Sequence, residues 1–218
     1  MRILIELSKN KEPVPYDYLP RLVGCVHKWI GPNTVHDKIS LYSFCHLLNG
    51  CQENDQLSFR DGAKLIISSV NTEFLKVIIS GIQKSPGFSY GMSVSGITII
   101  QDPDLTNKTV FNCLSPVFIK RTIENNQKYY IYSDPEASQL LTETILTKMK
   151  AAGIQNKTIS IRFDTHYTKP KTKLISYNSI KIKSSICPVI IEGDPDAKLF
   201  AWNAGIGNST GIGFGAIE

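Results

Sequence analysis

The order of strand-like and helix-like patterns in the first hundred residues restricts the fold more than any other feature of this sequence. "RILIEL", residues 2–7, alternates apolar and polar side chains as a half-buried strand does. Apolar residues then recur at helical spacing from Leu19 to Ile30, which predicts a first helix. The later patterns in this half are a strand at 39–48, a strand at 64–70, a helix at 71–83 and a strand at 90–101.

This β-α-β-β-α-β order is that of a ferredoxin-like, or RRM-like, domain. Asp17 and Asn71 precede its two helices and are the expected N-caps. After a polar connection at 102–108, a second block of similar type begins, with a helix pattern at 134–153 among several strand patterns; "KLFAWNAG" at 198–205 fits either a short helix or a strand. We therefore predict an α+β protein with two tandem ferredoxin-like domains, residues 1–105 and 106–218.

Composition excludes several classes of protein. Hydrophobic residues make up 42% of the chain and charged residues 20%, which is typical of a globular protein and not of a disordered one. We find no apolar run long enough to span a bilayer, and "MRILIELSKN" is too short and too charged for a signal peptide. We expect a cytoplasmic protein that does not bind membranes.

Five scattered cysteines, an odd number, argue against a disulfide framework and favour reduced thiols. A zinc site is an alternative, although the chain has no C-x2-C or H-x3-H pair. Its candidate ligands would be Cys25, His27, His36, Cys45, His46 and Cys51.

The net charge of +5 lies entirely in the second half. Residues 1–105 carry ten basic and ten acidic side chains, whereas residues 106–218 carry fourteen and nine. Between Lys157 and Lys183 there are seven basic residues and a single acid, Asp164. This local surplus indicates a polyanionic partner.

The C-terminal "GIGNSTGIGFG", residues 205–215, places five glycines in eleven positions. It fits neither common nucleotide-binding loop: Gly211 is followed by Ile212 rather than by Lys, and Thr210 stands where a dinucleotide fingerprint needs its third glycine. Glycines at this density suit a tight turn against a helix or a close approach of main-chain N–H groups to phosphate.

This glycine segment, preceded by "AWNA", resembles that of the RAMP superfamily, and within it the CRISPR repeat-cleaving endoribonucleases of the sixth Cas family. The resemblance extends over nearly the whole chain. "PYDYLPRLVGCVHKWIG" resembles the family's first helix, "VHDKISLYSF" its catalytic loop and following strand, and "NCLSPVFIK" the strand that opens its second domain.

The resemblance implies cleavage of CRISPR precursor RNA within its repeats, without a metal or other cofactor. The ribose 2′-hydroxyl attacks the neighbouring phosphate and leaves a 2′,3′-cyclic phosphate and a 5′-hydroxyl. Such chemistry needs a base, an acid and a cation that stabilises the phosphorane. By position, the resemblance assigns His36 as acid, His27 as base or orienter of the 2′-hydroxyl and Lys38 as the cation; the two histidine roles can be exchanged.

The RNA-binding surface is expected on the basic segment and the glycine loop. Lys169, Lys171 and Lys173 are spaced two apart, as are Lys181 and Lys183, so a hairpin turning at "ISYNS" would carry all five lysines on one strip. The full set of expected RNA contacts is Arg21, Lys28, Arg162, these five lysines, Gly205, Gly207, Asn208, Ser209, Gly211 and Gly213.

Two other functions compete with the enzyme. The first is a non-catalytic RNA-binding RAMP subunit of a CRISPR interference complex. The second is a metal-dependent nuclease built on Asp102, Asp104, Asp194 and Asp196, although turn geometry explains both "DPD" motifs. Precursor and mature CRISPR RNA are the expected partners, and the sequence leaves open whether the chain dimerises or joins an interference complex.

Overall fold

The computed structural model describes residues 1–32 and 39–218. In chain order its elements are β1 (Arg2–Leu7), α1 (Leu19–Ile30), β2 (Tyr42–Phe44), β3 (Cys51–Glu53), β4 (Gln56–Ser58), β5 (Ala63–Ser69), α2 (Thr72–Lys84), β6 (Val94–Ile100), β7 (Val110–Phe111), β8 (Ile119–Ile123), β9 (Asn126–Tyr130), α3 (Ala137–Ala151), β10 (Ile159–Phe163), β11 (Lys171–Tyr177), β12 (Ile180–Ile186), β13 (Val189–Gly193), α4 (Pro195–Ala204) and a 3₁₀ turn (Thr210–Ile212).

The first half of the chain is built on a four-stranded antiparallel sheet in the order β2-β5-β1-β6. Helices α1 and α2 bury their apolar stripes, which include Leu22, Val26 and Ile78, in one core with the sheet. The Asn71 side chain accepts the Glu73 N–H at 2.9 Å, so the predicted cap of α2 is confirmed. The predicted cap of α1 is wrong, because that helix starts one residue later, after Tyr18 and without a side-chain cap.

The second half contains a sheet in the order β10-β13-β7. The last residues of the chain extend it, since Asn112 and Glu218 exchange two main-chain hydrogen bonds of 3.0 and 2.9 Å and Cys113 forms a bridge with Ile217. Helix α3 packs on β10, and 195–204, for which the sequence allowed helix or strand, is the helix α4. Within the described residues, no helix combines the length and hydropathy that crossing a bilayer requires.

Two hairpins extend from this second half. β8 pairs with β9 around Glu124 and Asn125, and β11 pairs with β12 around Asn178 and Ser179. All four turn residues have positive φ, as two-residue hairpin turns of type I′ require. The β11–β12 hairpin reaches the first half, because Ile175 and Ile182 are buried in the core formed by α1 and its sheet.

Arg2 joins the two halves near the start of β1. Its guanidinium is buried, lies 3.2 Å from the centre of the Trp202 ring and donates to the main-chain oxygens of Trp202, at 2.6 Å, and Ile217. Burial lowers the pKa of Arg2 to about 9. Helix α4 and the C-terminal segment are thereby fixed against the first sheet, and the chain between them, residues 205–215, lies at the junction.

Candidate functional site

We call residues 205–215 the glycine loop; it folds back on itself at this junction. Ile206 N–H donates to Gly215 at 2.9 Å, and Gly215 N–H donates to Pro116 at 2.9 Å. A Cβ on Gly215 would lie 1.8 Å from the Ile206 oxygen, and one on Gly207 would lie 2.5 Å from the Phe118 oxygen. Both residues also have positive φ, so only glycine fits these two positions.

The tip of the glycine loop is tied to β8 by Asn208. Its N–H donates to Phe118 at 2.7 Å, and its side-chain oxygen accepts the Lys120 N–H at 2.8 Å. Ser209 has a φ of 58° and leads into the 3₁₀ turn that Thr210 begins. The expected RNA contacts of the loop therefore include one residue, Asn208, whose side chain also holds the loop in place.

His27 contacts this loop from the first half of the chain. Helix α1 directs the half-buried imidazole at the glycine loop, where Nε2 lies 3.2 Å from the Gly211 oxygen. The Tyr42 hydroxyl donates to the same oxygen at 3.3 Å. A carbonyl oxygen only accepts, so Nε2 carries the proton in this contact. The Gly211 carbonyl thereby sets both the orientation and the tautomer of the ring, as the partner of one ring nitrogen generally does for the other.

His36 and Lys38, the other two residues with expected catalytic roles, lie outside the described residues. The chain is described again from Ile39, and both Ile39 and Ser40 line a cleft beside the tip of the glycine loop. Ser40 Oγ would lie 2.5 Å from a Cβ on Gly211. Ser40, between the expected catalytic segment and β2, therefore lies close to Gly211, whose carbonyl contacts His27.

The cleft, which we call the loop cleft, has a volume of about 730 Å³. Its walls come from β8, α3, residues 39–40 and the glycine loop from Gly207 to Thr210. Its accessible charged side chains are two cations, Lys120 and Arg121, and one anion, Glu143, whereas Lys148 also borders the cleft but is only 4% exposed. Two cations against one anion give this lining a net positive charge. Arg121 lies 3.3 Å from Glu143 and also donates to the Leu140 oxygen at 2.8 Å. Such a cleft attracts polyanions.

Burial makes two side chains near the glycine loop, Tyr42 and His46, poorly suited to proton transfer at neutral pH. Burial raises the pKa of Tyr42 to about 12. Burial, with a contribution from Lys173, lowers the pKa of His46 to about 4, and its ring interacts with the Gly213 main chain. His166 is exposed in the loop after β10, where its N–H donates to Asp164 at 3.0 Å.

Arg21 and Lys28, expected RNA contacts on α1, lie on a different side of the helix from His27. The Arg21 guanidinium lies 5.4 Å from the centre of the Tyr90 ring, and Lys28 Nζ donates to Gly87 at 2.5 Å. Both contact the turn at 87–90, whereas His27 contacts the glycine loop. The structure therefore does not bring these two cations to the imidazole.

The predicted single strip of five lysines on the hairpin is wrong. In the β11–β12 register, Lys173 pairs with Ser184 and Lys183 pairs with Leu174. Lys171 and Lys173 therefore share a face with the buried Ile175 and Ile182, while Lys181 and Lys183 project from the opposite face. The reason is the turn, which contains two residues and not the five of "ISYNS", and this reverses the relative facing of the two strands.

The remaining basic residues of this segment differ in their surroundings. Arg162 lies 3.7 Å from Glu192, and Lys157 lies 2.7 Å from Asp196. Lys169 is exposed just before β11. The positive charge of this segment is therefore partly offset by carboxylates on β13 and α4.

No cluster of three potential metal ligands occurs among residues 1–32 and 39–218. Asp104 of the first "DPD" motif accepts from Thr106, two residues away, at 2.9 Å, whereas Asp194 of the second accepts from Thr158, 36 positions away, at 2.5 Å. Turn geometry thus accounts for Asp104, and the hydrogen bond to Thr158 accounts for Asp194.

Sequence reasoning missed Lys148, which is buried against the glycine loop. A signal for it exists in the sequence. Lys148 follows Leu141 and Ile145 at positions i+7 and i+3, on the stripe of α3 that faces the core. A lysine in such a position must find internal acceptors.

Comparison with solved structures shows which fold this is. The chain superposes on a solved structure described as a RAMP protein binding different RNA substrates with a TM-score of 0.83, at 22% identity, over 100% of this chain and 98% of that one. It superposes on a Cas6-related protein from Pyrococcus furiosus with a TM-score of 0.85, at 21% identity, over 100% of this chain and 97% of that one. The α+β fold is therefore that of solved Cas6 and RAMP proteins.

The family follows from the sequence comparison. The family model described as CRISPR associated protein Cas6, C-terminal, matches residues 100–218. A curated relative, the CRISPR-associated endoribonuclease Cas6 1 of Methanocaldococcus jannaschii, is 23% identical over 244 aligned positions, covering 100% of this chain and 92% of its own. Because the matched region exceeds half of the chain, this protein belongs to the Cas6 family, and the predicted family is confirmed.

Proposed function

We propose that this protein is an endoribonuclease that cuts CRISPR precursor RNA within its repeats to release mature guide RNAs. The observation that carries the proposal is the contact between His27 and Gly211, 3.2 Å long, beside a cationic cleft whose wall begins directly after the expected catalytic segment. Membership of the Cas6 family supports it, as do the endoribonuclease relative and the RNA-binding structural neighbour.

We propose that the architecture is two tandem ferredoxin-like domains, 1–105 and 106–218. In the first, the order β2-β5-β1-β6 with α1 and α2 supports this interpretation. In the second, β10-β13-β7 is extended by residues 216–218 next to β7, which reproduces the same order with α3 and α4 as the helices. The start of the family match at residue 100 is also near the proposed boundary.

In the proposed reaction, the 2′-oxygen attacks phosphorus while a base takes its proton. The bond from phosphorus to the 5′-oxygen breaks, and an acid protonates the departing oxygen, which leaves a 2′,3′-cyclic phosphate and a 5′-hydroxyl. We assign His27 as base, or as the group that orients the 2′-hydroxyl, and His36 as acid. Lys38 would stabilise the charge on the phosphorane oxygens.

The geometry at His27 suits this assignment. The Nε2–H donated to the Gly211 oxygen restrains the orientation of the ring, as a base or a group that orients the 2′-hydroxyl requires. These side chains fill the roles of acid, base and cation, so the proposed reaction is independent of a metal ion.

We propose that the outer face of the β11–β12 hairpin contributes to RNA binding through Lys181 and Lys183. Both lysines are exposed, and their face also carries Leu174, which is 60% exposed. Lysines contact phosphates as point charges, so these contacts would position the RNA rather than read its sequence.

The function is tested by incubating the protein in EDTA with the repeat RNA of a CRISPR array from the same genome. We expect a single cut per repeat, with a cyclic phosphate on the 5′ fragment and a hydroxyl on the 3′ fragment. His36→Ala should slow cleavage by about 10² to 10⁴-fold, as loss of a positioned acid or base does. RNA that binds but stays intact would support the non-catalytic alternative.

A further inference from the structure

Lys148 on α3 is a buried cation in contact with the glycine loop. Its side chain is only 4% exposed, and Nζ donates to Ala204 at 3.3 Å, to Gly205 at 3.1 Å and to the Thr210 hydroxyl at 3.0 Å. One acceptor is the last residue of α4, and the other two lie at the start and the tip of the glycine loop. The Lys148 amine therefore connects the end of α4 and the start of the glycine loop to the tip of that loop.

The surroundings of this amine match an ammonium group. An ammonium has three N–H donors and meets three acceptors here, whereas a neutral amine would point a lone pair at one of them. Two of the acceptors are carbonyls at the C-terminal end of α4, where the helix dipole favours a positive charge. No carboxylate forms an ion pair with Lys148 in the described part of the chain, and burial lowers its pKa to about 7.

The contact continues from Lys148 to His27 through two adjacent residues. Thr210 directly precedes Gly211, and the two belong to one 3₁₀ turn that is closed by a hydrogen bond from the Gly213 N–H to Thr210 at 3.3 Å. The Gly211 carbonyl is the acceptor for His27. Restraining Thr210 therefore restrains the direction of the carbonyl that orients the imidazole, although α3 and α1 belong to opposite halves of the chain.

We propose that Lys148 is a positioning residue that fixes the 3₁₀ turn Thr210–Ile212 and, through the Gly211 carbonyl that this turn carries, the orientation and tautomer of His27. Its consequence for RNA cleavage rests on the proposed function, but its effect on the imidazole does not. Lys148 is not proposed to touch the RNA. A purely structural lysine would affect stability without altering the state of His27.

The test compares Lys148→Met, which keeps length and apolar volume but removes the three donors, with Lys150→Met, an exposed lysine on the same helix. Proteins labelled with ¹⁵N-histidine are titrated by NMR. We expect the wild type and Lys150→Met to show His27 protonated at Nε2, and Lys148→Met to show a mixture of the Nε2–H and Nδ1–H tautomers. The exposed His166 serves as an internal reference and should not change.

A second measurement follows single-turnover cleavage and the binding of a repeat RNA blocked by a 2′-deoxy substitution. Lys148→Met should lower the cleavage rate by about tenfold to a hundredfold, the range for a misplaced catalytic group, and leave the affinity unchanged. If the wild type does not cut RNA, the proposed function fails, while the NMR result still decides the role of Lys148. If Lys148→Met does not fold, Thr210→Val is tested in its place, and we expect the same mixture of His27 tautomers. Unaltered His27 signals in the folded variant would overturn the proposal.

Discussion

Replacing Gly215 by alanine should destabilise the protein strongly, because the glycine loop closes at this residue. The new Cβ would lie 1.8 Å from the Ile206 oxygen, so one of the two segments must move by more than an ångström. That movement disrupts the hydrogen bonds from Ile206 to Gly215 and from Gly215 to Pro116, both 2.9 Å long.

The expected magnitude follows from three contributions. Each lost hydrogen bond removes about 1 kcal/mol. The left-handed backbone, with φ of 67°, costs alanine roughly 1–2 kcal/mol. The smaller conformational freedom of alanine in the unfolded chain returns about 0.4–1 kcal/mol. The free energy of unfolding should therefore fall by about 2–4 kcal/mol, before any contribution from the steric overlap.

Gly153→Ala is the matched control. Gly153 also has a positive φ, of 77°, but a Cβ there would meet nothing within 4 Å. This variant should lose only about 1 kcal/mol, the backbone penalty less the entropy gain. Urea unfolding followed by circular dichroism measures both variants. If Gly215→Ala is no less stable than Gly153→Ala, the close approach that we assign to the glycine loop is not present.

Two further predictions concern charge. Lys181→Gln combined with Lys183→Gln should reduce the slope of log affinity against log salt for single-stranded repeat RNA by about 1.4, since each phosphate contact contributes about 0.7. The slope should not change for Lys9→Gln with Lys11→Gln, exposed lysines of the first half; an equal reduction there would show a general charge effect. For Lys148, the pKa is about 7 in the folded state and 10.5 ordinarily, so between these values the unfolded chain binds more protons. Across this window the free energy of unfolding of the wild type should therefore rise with pH, relative to that of Lys148→Met, by at most about 1.4 kcal/mol per pH unit. Urea titrations at several pH values measure it. The same pH dependence in both proteins would contradict this prediction.

Local patterns predicted most of the secondary structure, because they depend on neighbours in the sequence. Asn71 could be recognised as a cap, and the alternation in residues 2–7 identified β1. The helix α4 could not be chosen over a strand, because seven of its ten residues are buried and it lacks an amphipathic pattern. The β8–β9 hairpin was missed although Asn125 is the type of residue that turns with positive φ favour.

The hairpin lysines show how a single turn length controls a functional prediction. With a turn of two residues, Tyr177 pairs with Ile180, and every lysine of β11 then faces away from every lysine of β12. One more turn residue would have placed them together. The sequence "YNSI" does not by itself decide between these lengths, so the face that meets RNA could only be identified from the pairing.

The candidate site depends on contacts between residues far apart in the sequence. His27 and Gly211 are separated by 184 positions, and Lys148 and Thr210 by 62. Resemblance to a family predicted a catalytic role for His27. Its main-chain partner, the Gly211 carbonyl, could not be predicted, because packing between the two halves of the chain brings the two together. Lys148 lies on α3, which carries no expected catalytic residue. Its position on the apolar stripe of this helix is the one sequence feature that indicated a buried lysine.

The central claim is that the RNA supplies its own nucleophile, activated by side chains of the first half. The most direct measurement uses a repeat RNA with a single 2′-deoxy substitution at the nucleotide upstream of the cut, in EDTA. We predict that cutting at that position stops while binding is retained. Cutting that continues at the substituted position would contradict the mechanism proposed for this protein.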